Sequence, residues 1–360
     1  MLTLLVFTII LLYQIEVFSK LKTVKTFFLL LSILIFFVSL YYITNNSDWL
    51  IYEAMFHNNF TKSDILFNTL SEFYRGHGYS YISVYRVHII LIGLGFFYFL
   101  KSTNNRNFFV TILIYLIFQL VPISNQIRFY LAFSFFLVSI IQLYLKNNRT
   151  LYIIFTLLSL SSHLGILLLL PFSFIFNKMD VKSIQKEMIK LSVLLTIILL
   201  LFYYVGLTVF TRFALYFSNT YISSIKGGIY TIGIWVLWLF LLHFLHKYNY
   251  NKYPKLIEGD RHYRLLYKLS FYSIIFIPSS TLLQILCHRY VMSFIIIWLT
   301  FFFYSLKYYP KLKTKLVLSS FMLTIVFITI FYYYFLPEML IGISRTEQLM
   351  LIFESNTLLK

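Results

Sequence analysis

The chain has a single cysteine, Cys287, in 360 residues. It therefore forms no internal disulfide and offers no multi-cysteine metal site, and Cys287 reads as a small apolar packing residue. Charge is equally scarce, with Asp, Glu, Lys and Arg together at 12%. No Gly-rich phosphate loop, zinc-protease helix motif, nucleophile elbow or heme-attachment pair is present, so no cofactor and no metal are expected. There is no internal repeat, low-complexity tract or soluble domain to carry a function. The first apolar run, Leu2 to Phe18, lacks a basic segment before it and a small-residue cleavage site after it, and reads as a helix that stays.

What the chain does have is apolar surface: 60% hydrophobic residues and a mean hydropathy of +0.81. A soluble domain of this length could not carry that without exposing its core, so the solvent for most of it is lipid. The 31 Tyr and 41 Phe run along the whole length, as helices ending in aromatic interfacial belts require. The net charge of +18 is spread in short lysine clusters between apolar runs, which argues topology and not nucleic acid. About 20 apolar residues are needed per span. Such runs lie near 2–18, 26–44, 82–100, 107–123, 128–145, 150–161, 164–176, 191–210, 229–246, 266–283, 290–306 and 316–336. The expected fold is all-α, one polytopic transmembrane bundle of about 12 helices over residues 1–360.

The stretch from Thr150 to Phe176 is long for one span and short for two, and Ser159, Ser161, Ser162, His163 and Gly165 interrupt it. Two short helices meeting at His163 are expected, the alternative being one tilted, kinked helix that would reverse the topology downstream; irregular backbone at membrane depth hints at a site. With this break the loops at 19–25, 101–106, 146–149, 177–190, 246–268 and 307–315 collect 21 of the 30 basic residues, which places them in the cytoplasm. Six of the nine basic residues on the other face are arginines: Arg75, Arg86, Arg128, Arg212, Arg289 and Arg345. Topology needs charge but not a guanidinium fork, so the skew suggests an anionic ligand outside. The outer segment from Asn45 to Tyr81 mixes Asp48, Glu53, Asp64 and Glu72 with aromatic residues. It suits an amphipathic helix on the membrane, or a surface for sugar rings and headgroups.

Four outer positions combine polar groups with a costly apolar context. In Asp48-Trp49-Leu50-Ile51-Tyr52-Glu53, Asp48 and Tyr52 share a helix face; the carboxylate is either a general base or an N-cap. Ser124-Asn125-Gln126-Ile127-Arg128 is a short turn whose Gln126 and Arg128 could donate to phosphate oxygens, unless Arg128 snorkels to headgroups. Ser161-Ser162-His163 offers a proton shuttle, or a histidine satisfied by a neighbouring helix. Cys287-His288-Arg289-Tyr290 falls on the same side as Arg212 and Tyr216, where two arginines could hold a diphosphate or anchor at the interface.

At these residues the chain resembles the EpsG family, bacterial membrane proteins grouped with Wzy-type polysaccharide polymerases. The resemblance rests on Asp48-Trp49-Leu50-Ile51-Tyr52, Asp64-Ile65-Leu66-Phe67, Asn125-Gln126-Ile127-Arg128, His163 with Pro171 following, and Arg289-Tyr290, in order over about residues 40–310. Two departures stand out. Phe129 follows the turn arginine where the family commonly has Gln, and Thr44-Asn45-Asn46-Ser47 replaces the Arg and Gly that usually approach the first acid.

The resemblance implies a glycosyltransferase of the bacterial cytoplasmic membrane, with a fold like that of other lipid-dependent (GT-C-like) enzymes. It would join undecaprenyl-diphosphate-linked oligosaccharide repeat units at the outer face, in capsule, exopolysaccharide or O-antigen synthesis. Its partners would be that lipid-linked oligosaccharide, membrane lipid, and the chain-length regulator and flippase of the same pathway. Asp48 is the candidate base, with His163 competing; Tyr52 and Gln126 are candidate substrate contacts, and Arg128, Arg289 and Arg212 candidate diphosphate contacts. Two other readings are a flippase or transporter of lipid-linked oligosaccharide and a polysaccharide O-acyltransferase. The first lacks the related halves transporters often show. The second needs supporting acids for its histidine.

Overall fold

The computed structural model describes residues 11–12, 14–19, 21–58, 64–105, 107–175, 183–205, 225–281, 283, 286–309, 311–335 and 345–359. Most of the helix expected at 2–18, the loop with Arg212 and Tyr216, and the side chains of Cys287 and His288 lie outside them. In chain order the helices are α1 Lys22–Leu40, α2 Trp49–Asn58, α3 Ile65–Gly76, α4 Tyr81–Ser102, α5 Phe108–Asn125, α6 Ile127–Tyr144, α7 Arg149–Ser162 and α8 Pro171–Ile175. They continue as α9 Ile184–Val205, α10 Ile225–Lys252, α11 Pro254–Gly259, α12 Arg261–Tyr272, α13 Ile295–Ser305, α14 Leu312–Ile330 and α15 Arg345–Ser355. Among the described residues there is no strand, and six helices are long and apolar enough to cross a membrane. The chain is a multi-pass membrane protein.

Several expected spans depart from single helices for local reasons. The segment from Asn45 to Tyr81 forms two helices, α2 and α3, where one amphipathic helix is expected. The run expected at 164–176 is a 3-10 turn, Leu164–Leu168, followed by the five-residue α8. The run expected at 266–283 stops as an α-helix at Tyr272 and continues as 3-10 turns Ser273–Phe276 and Pro278–Thr281. Its hydroxyls explain this: Ser273, Ser279, Ser280 and Thr281 each donate back to the carbonyl three residues earlier, competing with the backbone ladder, while Pro278 has no N–H to give.

The chain forms two compact units, the first comprising Met1–Leu170 with Ile330–Lys360 and the second Pro171–Thr329. At the centre of the first is α6, buried on all sides and packed against α4 and α7. An apolar helix with no polar face has nowhere else to go. Helices α4 and α6 touch at Gly95, where an added Cβ would lie 2.7 Å from Ser134 Cβ. Such small-residue contacts let backbones approach where lipid supplies no hydrophobic drive of its own. Helices α1 and α5 run parallel and are tied at both ends: Lys25 Nζ donates to Asn107 Oδ1 (3.0 Å) at one, and Asn46 Nδ2 to the Ser124 carbonyl (3.0 Å) at the other. The buried Glu16 carboxylate accepts from the amides of Phe109 and Val110 (2.8 Å each), closing the amino end of α5.

In the second unit Trp298 packs against both Trp235 and Trp238 of α10, at ring-centroid distances of 5.7 and 5.9 Å. Its indole N–H donates to the Ser270 carbonyl, one of the last of α12 (3.2 Å). At the other end of α12, Asp260 caps the helix by accepting from the Tyr263 amide (3.0 Å), and it also accepts from Tyr304, Tyr308 and Lys307. Two segments that the charge count assigns to the same side, 246–268 and 307–315, thus meet at one carboxylate. Burial pushes that carboxyl up, but Lys307, Tyr308, the Tyr263 amide and Tyr304 outweigh it and bring it down to about 2.

Gly95→Ala destabilises the protein by about 1–3 kcal/mol in thermal unfolding in detergent, the usual cost of overpacking. Gly76→Ala, which meets nothing within 4 Å, does not. The depressed Asp260 carboxyl contributes stability that is whole above its ordinary value of 3.8 and is lost as pH falls through about 2. The melting temperature of Asp260→Asn should accordingly fall less steeply than wild type across that window. Parallel curves would mean the cluster does not couple to folding.

Candidate functional site

One end of the first unit gathers the polar residues of five different elements. The α5–α6 break is a single non-helical residue, Gln126 (φ −124°, ψ 46°), four residues after Pro122 in α5. The break leaves terminal carbonyls of α5 and terminal amides of α6 in an apolar setting where water does not reach them. Asn46 takes the Ser124 carbonyl, and Arg128 emerges in the first turn of α6.

Arg128 does not snorkel outward. Its guanidinium donates to the Asp64 carboxylate and lies over the rings of Tyr52 (4.9 Å) and Phe67 (5.5 Å). The side chains of the pair are 13% and 8% exposed, so the ion pair is largely desolvated. Arg128 Nε has no partner among the described residues, nor has the buried Gln126 Oε1. Donor capacity of the fork therefore remains beside the pair. Below it Tyr52 stacks on Tyr81 (6.3 Å, 3°), and Phe67 leans on the buried His88 (5.7 Å), whose Nδ1 donates to the Val84 carbonyl (2.8 Å). Trp49 packs against Tyr81 and Tyr85, at 4.8 and 5.4 Å.

Asp48 stands at the start of α2. Its carbonyl accepts from the Tyr52 amide (3.1 Å) and its own amide donates to Asn46 Oδ1 (2.9 Å), so it occupies the N-cap position that the sequence offered as one of its two roles. Its side chain is half-buried, and the helix spacing puts it on the face that carries Tyr52. His163 ends α7 in extended conformation (φ −161°, ψ 120°). Its ring meets Phe129 edge-on at 5.7 Å, and its Nδ1 accepts from the Gly165 amide at 2.9 Å. A neutral ring in that arrangement carries its proton on Nε2, where it is a donor.

Asp48, Tyr52, Gln126, Arg128 and His163 thus lie around one end of the first unit. Arg289 belongs to the second unit, in the π-helical turn Cys287–Val291, and Arg212 is outside the described residues. Two residues that sequence reasoning did not assign to the site are central to it. Asp64 was visible as an acid in an apolar stretch, the feature that ordinarily marks an intramembrane partner for a buried cation. Asn46 had been noted only as a departure from the family pattern.

Asp64 and Arg128 form a largely buried ion pair. Removing one partner strands the other's charge, so Asp64→Asn and Arg128→Met should each cost about 3–5 kcal/mol in unfolding. Exchanging both together should cost well under the sum of the two. Additive losses would show that the two groups do not interact.

The model of the EpsG family matches residues 24–348, a range that includes every position of this cluster. No curated protein and no solved structure matches. Extending over nearly the whole chain, the match establishes that the protein belongs to the EpsG family, a family of Wzy-like polymerases.

Proposed function

We propose that this protein is a polysaccharide polymerase that joins undecaprenyl-diphosphate-linked oligosaccharide repeat units at the outer face of the bacterial cytoplasmic membrane. The observation that carries the reading is the gathering of Asp48, Tyr52, Asp64 and Arg128 at one end of an apolar helical unit, in a chain of this family. In the reaction an acceptor sugar hydroxyl attacks the anomeric carbon of the lipid-linked chain. The bond from that carbon to the diphosphate oxygen breaks, undecaprenyl diphosphate leaves, and the hydroxyl proton passes to a base.

The step needs a base for the hydroxyl and a cation for the charge developing on the leaving oxygen. Asp48 is an acceptor held by its backbone in a half-buried position. His163 Nδ1, the basic nitrogen of a ring protonated on Nε2, already accepts from the Gly165 amide. This favours Asp48 as the base. Arg128 supplies the cation: aromatic faces hold its guanidinium in place, and Asp64 balances its charge until a diphosphate competes for the fork. Tyr52 and Gln126 border the same space, where an aromatic face and an amide suit a sugar ring.

The test is the size distribution of surface polysaccharide in a strain lacking the protein, complemented with wild type or variants expressed at equal level. Asp48→Asn should reduce polymer by roughly a hundredfold or more, and His163→Gln, which keeps a donor, by far less. Arg128→Lys keeps the charge but loses the fork, and should leave single repeat units accumulating at the outer face. Normal polymer with Asp48→Asn would remove the base, and repeats trapped on the inner face would indicate a flippase.

A further inference from the structure

The last residues of the chain are tied to the segment that leads into Asp48. Thr44 donates to the Ser355 carbonyl through both its amide (3.2 Å) and its hydroxyl (2.8 Å). Ser355 Oγ donates to the Asn45 carbonyl (2.7 Å), across 310 residues of sequence. The Thr357 amide donates to the Tyr42 carbonyl (3.0 Å), and Ile43 pairs antiparallel with Asn356. Asn356 is itself buried, with its Nδ2 donating to the Val38 carbonyl (2.7 Å) in the last turn of α1. Backbone and side-chain bonds alike thus join residues 355–357 to residues 38–45.

What the strap holds is the approach to Asn46. That amide uses both its ends, donating to the Ser124 carbonyl beside the α5–α6 break and accepting from the Asp48 amide. Aspartate would lose the donor and alanine both bonds. The path from the carboxyl-terminal residues therefore runs through Thr44 and Asn45 to Asn46, and from there to Asp48 on one side and the break carrying Gln126 and Arg128 on the other. All of it lies in the first unit. The strap is outside the residues matched to the family, 24–348, so membership assigns it no role.

We propose that Ser355–Thr357 is a positioning strap which, through Asn46, fixes the Asp48 carboxylate relative to Arg128; its catalytic consequence rests on the polymerase reading above. A base displaced by an ångström costs rate and not substrate affinity. Asn46, Ser355 and Asn356 are positioning residues that touch no substrate.

The test uses full-length protein in lipid, comparing wild type with Asn356→Ala, Ser355→Ala and the hydroxyl-retaining Ser355→Thr. Hydrogen exchange at residues 42–52 should rise roughly tenfold or more in the two alanine variants, stay near wild type with Ser355→Thr, and leave α6 unchanged. With lipid-linked repeat units from the producing cells as substrate, kcat should fall roughly ten- to hundredfold with KM within about twofold. Unchanged exchange at 42–52 would overturn the strap. Raised exchange with full kcat would overturn its positioning role. A wild-type protein that makes no polymer would overturn the polymerase reading, while raised exchange in the same samples would still support the hold on Asp48. If Asn356→Ala does not fold, Ser355→Ala, which removes one hydroxyl, carries both measurements.

Discussion

A helix that ends where water does not reach leaves up to four amides or four carbonyls that only other protein groups can satisfy. This constraint organises the first unit. Asn46 takes a carbonyl at the end of α5, Asn356 and the Tyr85 hydroxyl take carbonyls at the end of α1, and Glu16 takes two amides at the start of α5. Tyr334 and Ser159 donate to the carbonyls of Ile117 and Ala132, which lie inside α5 and α6, and so add ties between segments away from the helix ends. Each of these side chains is far in sequence from the group it satisfies. The helix ends therefore pull distant segments together, and the candidate site forms where several of them converge.

The same demand changes how the arginines that the charge count assigns to the outer face read. Their excess over lysine suggested an anionic ligand, yet several of these guanidinium groups already serve the fold. Arg75 donates to the carbonyls of Phe56 and His57 (2.6 Å each), near the end of α2. Arg86 lies over Tyr41 at 5.1 Å, and Arg345 lies over Tyr333 at 5.5 Å and donates to Gln348. A planar fork that can both stack and donate suits these places better than an ammonium does. Arg128 differs from these three in its partner: it meets a carboxylate, and that pair is desolvated. An ion pair of this kind is weak evidence for stability and better evidence for a site that must hold a charge ready.

Irregular backbone marks where the chain departs from plain spanning helices. The His163 break, the 3-10 turns after Tyr272 and the single-residue break at Gln126 all interrupt apolar runs. The first was legible from its serines and glycine, and the second has its cause in Ser and Thr hydroxyls and Pro278. At Gln126 the sequence showed a turn, while its tightness followed from Pro122 and from Asn46 capping the helix that ends there. Short polar residues in an apolar run are the local signal common to all three.

The sequence by itself determined the membrane class, the position of the long helices near 26–44, 82–100, 107–123 and 128–145, and the family to which the ordered motifs belong. These are local properties, because lipid requires a continuous apolar run of fixed length and each run can be read where it stands. It also placed Asp48, Tyr52, Arg128 and His163 among the residues worth following. Only the tertiary structure decided that Arg128 meets Asp64, that Asn46 links Asp48 to the end of α5, and that the carboxyl-terminal residues hold the segment before it. A hydrogen-bond donor carries no periodicity that names its acceptor. Its partner is fixed by which helix ends the packing brings together.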